Sequence, residues 1–231
     1  MSRSGIRTGR RGEARLPAVV AVVAAIALES ALPNRLLLGP RLVLPALEVL
    51  LLIPLIVVNP VRMTRDTRWS RQVGLALVLL ITATNTVVLG LLVRALVDGK
   101  AADGKQLLLA SLQVWLTNVI AYGLVYWELD RGGPVSRTQR ARVDLPLADF
   151  RFPHDEDHDA IGEVAKGSSA KSDWVPTLVD YLYVSVTNSS AFSPTDTMPL
   201  SSRTKVLMAL QSTSALVLSL LVVSRAVSVL K

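Results

Sequence analysis

Cysteine is absent from all 231 residues. Its absence excludes a disulfide framework, thiolate zinc sites and iron–sulfur clusters. Histidine occurs only twice and aromatic residues make up 5% of the chain. The motifs of common chemistries are missing too. There is no nucleophile–base pair, no P-loop and no dinucleotide fingerprint. The sequence therefore reads as a non-enzyme without a cofactor. Also missing is the polar majority of a soluble domain. Hydrophobic residues make up 51% of the chain, and the mean hydropathy is +0.44. Several runs approach the roughly 20 apolar residues that cross a bilayer. The expected fold class is all-α, an integral membrane helical bundle of six spans, or of five spans plus a re-entrant helix. Its length suits one compact bundle.

The net charge is +7, from 25 Lys and Arg against 18 Asp and Glu. The basic residues sit in short connectors beside apolar runs, where the positive-inside rule places them in the cytoplasm. That distribution argues for a lipid bilayer as partner and against nucleic acid. The basic connectors also suit anionic lipid headgroups.

In chain order, residues 1–15 form a basic cytoplasmic N-terminus. Residues 16–142 hold a four-span bundle. Its spans are placed at Leu16–Leu32, Leu42–Val58, Val73–Val97 and Leu107–Leu129. The first apolar run follows a basic segment but lacks a small-residue cleavage site, so it reads as a retained span in the inner (plasma) membrane. Arg62, Arg65, Arg68 and Arg71 mark one cytoplasmic connector, and Arg131, Arg137, Arg140 and Arg142 another. Residues 143–173 read as a polar cytoplasmic loop, with a short interfacial helix around L-P-L-A-D-F-R-F.

Residues 174–231 carry the functional hint. Pro176 suits the first turn of a helix. Asp180 follows one turn later, with Val184 and Thr187 on its face. An ionisable group inside a span is a functional-site hypothesis by default; at headgroup depth Asp180 would only anchor the helix. The polar stretch Ser185–Asp196 also has two readings. At membrane depth its oxygens could replace an ion's hydration shell; at the surface Ser193-Pro194-Thr195-Asp196 is a turn. The candidate ion pathway comprises Asp180, Ser185, Thr187, Asn188, Ser193, Thr195 and Asp196, with cations or small solutes as the passing species. Trp174–Phe192 is either a full span or a re-entrant helix, and the side of Lys231 follows from which. The alternative function is a non-transporting scaffold or sensor that docks a partner through its cytoplasmic loops.

Two further groups stand out. His154 and His158 are spaced four apart within H-D-E-D-H, which on a helix could bind a metal. A block so dense in acid reads more simply as a solvated loop, so no metal site is assigned. Glu29, Glu48, Asn85, Asn118 and Gln211 lie inside apolar segments, where such groups build either interhelical hydrogen bonds or a polar route.

The segment V-D-Y-L-Y-V-S-V-T-N-S-S-A-F-S-P-T-D-T-M-P-L-S-S-R-T-K resembles a family of small, uncharacterised bacterial multi-pass membrane proteins. That resemblance implies a location, not an activity. The segment is also similar to the pore-loop module of tetrameric cation channels. Tyr183, Ser185 and Thr187 match the end of the pore helix, Asp196 the acid after the filter, Pro199 the following proline and Arg203 the basic turn. Ala191-Phe192-Ser193 stands where those channels carry glycine–tyrosine–glycine. The resemblance implies a homo-oligomer of about four copies around an axis.

Overall fold

The computed structural model describes residues 11–98, 104–156, 161–190 and 197–229. Strand β1 (Glu13–Ala14) leads into helix α1 (Leu16–Ser30), which has a proline in its first turn. There the missing N–H costs nothing. Its small side chains Ala18, Ala21 and Ala25 are buried, which lets neighbouring helices come close. Helix α2 (Val43–Val58) returns, with Pro54 inside it. Asn59 ends it. Its side-chain oxygen accepts from the Thr64 and Arg65 N–H groups, and its amide donates to the Arg65 carbonyl. Strand β2 (Arg62–Met63) then pairs antiparallel with β1, Glu13 opposite Met63.

Helix α3 (Arg68–Asp98) starts from a reciprocal cap between Thr67 and Ser70. Helix α4 (Gly104–Leu129) packs against it. The chain then turns sharply through Arg131, Gly132 and Gly133, all at positive φ. Pro134 opens the short helix α5 (Pro134–Gln139). Strand β3 (Phe150–Arg151) and the small helices α6 (Gly162–Lys166) and α7 (Ser169–Ser172) follow. Then come α8 (Leu178–Ser190), strand β4 (Met198–Pro199) and α9 (Ser202–Val229).

Helices α3, α4 and α9 are long and apolar enough to cross a membrane, whereas α1 and α2 are shorter. At 1.5 Å per residue, the 13 residues of α8 reach about 20 Å. Both ends of this excursion lie at one end of the bundle. Leu178 N–H donates to Glu13 beside the β1–β2 pair. Met198–Pro199 pairs antiparallel with Phe150–Arg151, which is held beside the end of α4 by the Phe150 N–H donating to Asp130. We call this the basal end; the α1–α2 and α3–α4 connections form the distal end. Helix α8 rises from the basal end, the chain comes back to it, and α9 climbs away.

The expected interfacial helix around L-P-L-A-D-F-R-F does not form. Residues 145–149 are irregular and 150–151 are strand. Proline at 146 disfavours a helix there. The N–H groups of Asp149 and Phe150 are taken instead by the Asp130 carboxylate.

The core is split in two. A basal apolar cluster includes Ala25, Leu52, Ile81, Ala121 and Met208. A distal cluster includes Leu32, Val88, Val114 and Leu218. Between them every long helix contributes buried polar side chains: Glu29 on α1, Glu48 on α2, Thr84 and Asn85 on α3, Thr117 and Asn118 on α4, and Gln211 on α9.

Candidate functional site

Asp180 stands in the first turn of α8. Its carboxylate accepts from the Thr177 N–H at 2.7 Å and the Thr177 hydroxyl at 2.9 Å. This satisfies a helix-start donor that would otherwise be unpaired and complements the positive helix terminus. Asp180 therefore lies at the basal end, half-buried.

Ser185 and Asn188 lie nearer the upper end of α8 and converge on Gln211 of α9. The Gln211 amide donates to the Ser185 hydroxyl at 2.7 Å, the Ser185 carbonyl at 3.1 Å and the Ser189 hydroxyl at 2.8 Å. Its carbonyl oxygen accepts from Tyr126 of α4 at 2.7 Å and from Asn188 at 2.9 Å. Ser185 in turn donates to the Val119 carbonyl of α4. Helices α4, α8 and α9 are thus tied by one knot in which Gln211 is wholly buried. Thr187 takes no part; its hydroxyl bonds back to Tyr183 and Val184 of its own helix. Ser193, Thr195 and Asp196 lie outside the described residues. Of the two remaining channel-like positions, Pro199 pairs with Phe150 and Arg203 grips the Asp149 carboxylate.

Helix α8 approaches α4 closely at Gly123, where a Cβ would stand 2.7 Å from a Leu182 methyl and 3.3 Å from the Leu182 Cα. The knot continues the polar layer between the two apolar clusters. In that layer the Asn85 amide nitrogen and the Asn118 carbonyl oxygen are buried without hydrogen-bond partners among the described residues.

The basal end holds a second constellation that sequence reading missed. Arg137 is fully buried, donates to the carbonyls of Trp127 (2.6 Å) and Asp130 (2.9 Å), and lies 3.8 Å from the Glu13 carboxylate. Its guanidinium carbon is 4.9 Å from the centre of the Tyr181 ring. Asp130, equally buried, accepts from Tyr181 at 2.5 Å and from the Asp149 N–H at 2.7 Å. Arg131 donates to Asp155 at 2.6 Å, and Asp155 also accepts from the Phe152 N–H and the Ser169 hydroxyl. Burial works to raise the Asp155 carboxyl, but Arg131 and these two donors outweigh it and hold it below its ordinary range. Glu13 goes the other way. Burial raises it, against Arg137 and the N–H groups of Leu178 and Trp127. The signal available in sequence was Asp130-Arg131-Gly132-Gly133-Pro134, a run that ends one helix, turns at positive φ and starts another.

The histidine run forms no metal-binding helix. His154 lies in a tight 3-10 turn and stacks on Trp174, centroids 4.2 Å apart. His158 lies outside the described residues. No group of three or more His, Asp and Glu suited to a metal occurs among the described residues.

Fold and site together define a class: a helical protein with membrane-length helices, a half-height helix and a buried polar layer. No protein-family model, curated protein or solved structure matches the chain.

Proposed function

We propose that the chain is an integral protein of the inner (plasma) membrane that passes cations or small solutes at mid-depth. The reading rests on one observation: α8 rises from the basal end, stops level with the buried polar layer, and its chain returns to the end it came from. Half-helices that end inside a membrane protein aim their termini at ions. The C-terminal end of such a helix carries the negative pole of its dipole, which favours a cation.

The basal end carries Arg15, Arg62, Arg65, Arg68, Arg71, Arg131, Arg137, Arg140 and Arg142 and is assigned to the cytoplasm. Helices α3, α4 and α9 then cross, with α1 and α2 as a shorter hairpin beside them that starts and ends at the basal side, and the C-terminal end of α9 lies outside. A C-terminal topology reporter in intact cells tests this. An external signal is expected; an internal one sinks the half-helix reading. For passage itself, Asp180→Asn keeps an acceptor for Thr177 and removes the charge at the foot of α8. Cation flux into proteoliposomes is expected to fall several-fold, and unchanged flux removes Asp180 from the path.

A second reading, a scaffold that docks a partner, draws support from Val143 and Leu147. They are 90% and 93% exposed on the basal loop, where apolar side chains suit a binding surface. Val143→Ser with Leu147→Ser separates the two readings. It leaves flux intact in the first and abolishes partner cross-linking in the second.

A further inference from the structure

Glu29 and Glu48 belong to none of the hydrogen-bond networks above. They lie on the neighbouring helices α1 and α2, near enough for each carboxyl group to act on the other. Among the described residues none of their four oxygens meets a donor, and both side chains are more than nine-tenths buried. A buried carboxylate without a partner is costly, and two in contact are costlier still. Among the described residues the ion pairs involve neither Glu29 nor Glu48.

A crevice of about 30 Å³ leads to Glu29 of this pair. It runs beneath the α1–α2 connection, past Leu36, Arg41 and Leu44, with Glu29 and Thr84 in its wall. Such a volume holds about two waters, since one needs roughly 10–15 Å³. The charged groups lining it, among the described residues, are Glu29 and Arg41. Arg41 is anchored by donating to the Ser30 and Leu32 carbonyls. On the other elements, the buried polar groups of the same layer are neutral: Thr84 and Asn85 on α3, Thr117 and Asn118 on α4, and Gln211 on α9. A fixed guanidinium in the wall opposes entry of a metal cation. A proton passes by transfer along water.

We propose that Glu29 and Glu48 form a proton-binding site that exchanges with the distal face through this crevice. On uptake, a hydronium in the crevice gives its proton to a carboxylate oxygen of the pair, one O–H bond forms, and water remains. On release the same bond breaks toward crevice water. One proton bridges the two oxygens and one negative charge is left on the pair. The site shares the membrane setting of the proposed function, but its test does not depend on flux.

The experiment is infrared spectroscopy of the full chain in lipid vesicles across pH, in H₂O and D₂O. The wild type is expected to show a protonated-carboxyl C=O band that titrates with pH and shifts in D₂O. Glu29→Gln and Glu48→Gln should each move its frequency. The near-isosteric double variant should lose that component entirely. Leu44→Trp, which fills the crevice, should slow its deuterium shift at least tenfold. A wild-type spectrum without such a band, or a band that the double variant retains, overturns the site. An unchanged exchange rate in Leu44→Trp overturns the route. Flux that is absent while the band behaves as described sinks only the passage reading.

Discussion

Gln211 shows how much a single side chain can hold. Its two N–H groups are shared among three acceptors on α8, and its carbonyl oxygen accepts from α4 and α8. Interhelical hydrogen bonds in membrane proteins average about 0.6 kcal/mol each, so losing four should make Gln211→Leu cost about 2 kcal/mol. Chemical unfolding in micelles measures it, and a loss near zero would mean that the knot does not form. Arg137 is a sharper case. Removing one partner of a buried ion pair typically costs about 3–5 kcal/mol, because the other charge is left uncompensated. Arg137→Met should destabilise by that order, and adding Glu13→Gln should restore part of the loss. Equal losses in the single and double variants would show that the two side chains are not coupled. Sequence reading singled out Ser185, Asn188 and Gln211, but as separate polar groups. Which of them meet depends on how α8 and α9 are rotated about their axes, and an apolar stretch with scattered serines does not fix that rotation. Arg137 was counted as one of several connector arginines, because a buried guanidinium and a solvated one look alike in a chain.

Helix α8 was the element that sequence left open between two layouts. Length decides little from sequence alone, since Trp174–Phe192 is apolar enough to be drawn as a span. The pairing of Met198–Pro199 with Phe150–Arg151 brings the chain back to the end of the bundle at which α8 starts, and a two-residue strand carries no recognisable period. The five other long elements were legible because continuous apolar runs announce them. Gly123 sets the approach of α8 to α4. Gly123→Leu should push the helices apart and break the Ser185–Val119 bond, whereas in Gly123→Ala the flexible Leu182 methyl can yield. A thermal midpoint equal to wild type in Gly123→Leu would contradict this packing. The lack of native cysteine makes α8 directly testable, since each introduced thiol reports only itself. Thr177→Cys and Met198→Cys, both at exposed positions, should react with an impermeant maleimide from the cytoplasmic side. Ser224→Cys, exposed far along α9, should react from the outside. Labelling of residues 177 and 198 from opposite faces would turn α8 into a full crossing.

The bundle as a whole joins two regions of different chemistry, an apolar distal half and a basal cap built on ion pairs. The cap should therefore control how stability varies with pH, and two carboxylates set opposite limbs. Asp155 is held below its ordinary value of 3.8. Its contribution is complete above that value and is lost as pH falls through the depressed folded-state value. Glu13 is raised above its ordinary 4.5. Its contribution is complete below 4.5 and is lost as pH rises through the raised folded-state value. For these two groups stability is greatest in the mildly acidic window between the limbs, and it declines toward neutrality as Glu13 ionises in its buried setting. Glu13→Gln removes the ionisation while keeping an acceptor for Leu178 and Trp127. Thermal unfolding of the wild type in micelles should show a midpoint that falls as pH rises above the acidic window, and the Glu13→Gln profile should be flatter over that range. Asp155→Asn should instead flatten the acidic limb, leaving the other in place. If the alkaline-side decline persists undiminished in Glu13→Gln, the pH dependence originates in a group other than Glu13.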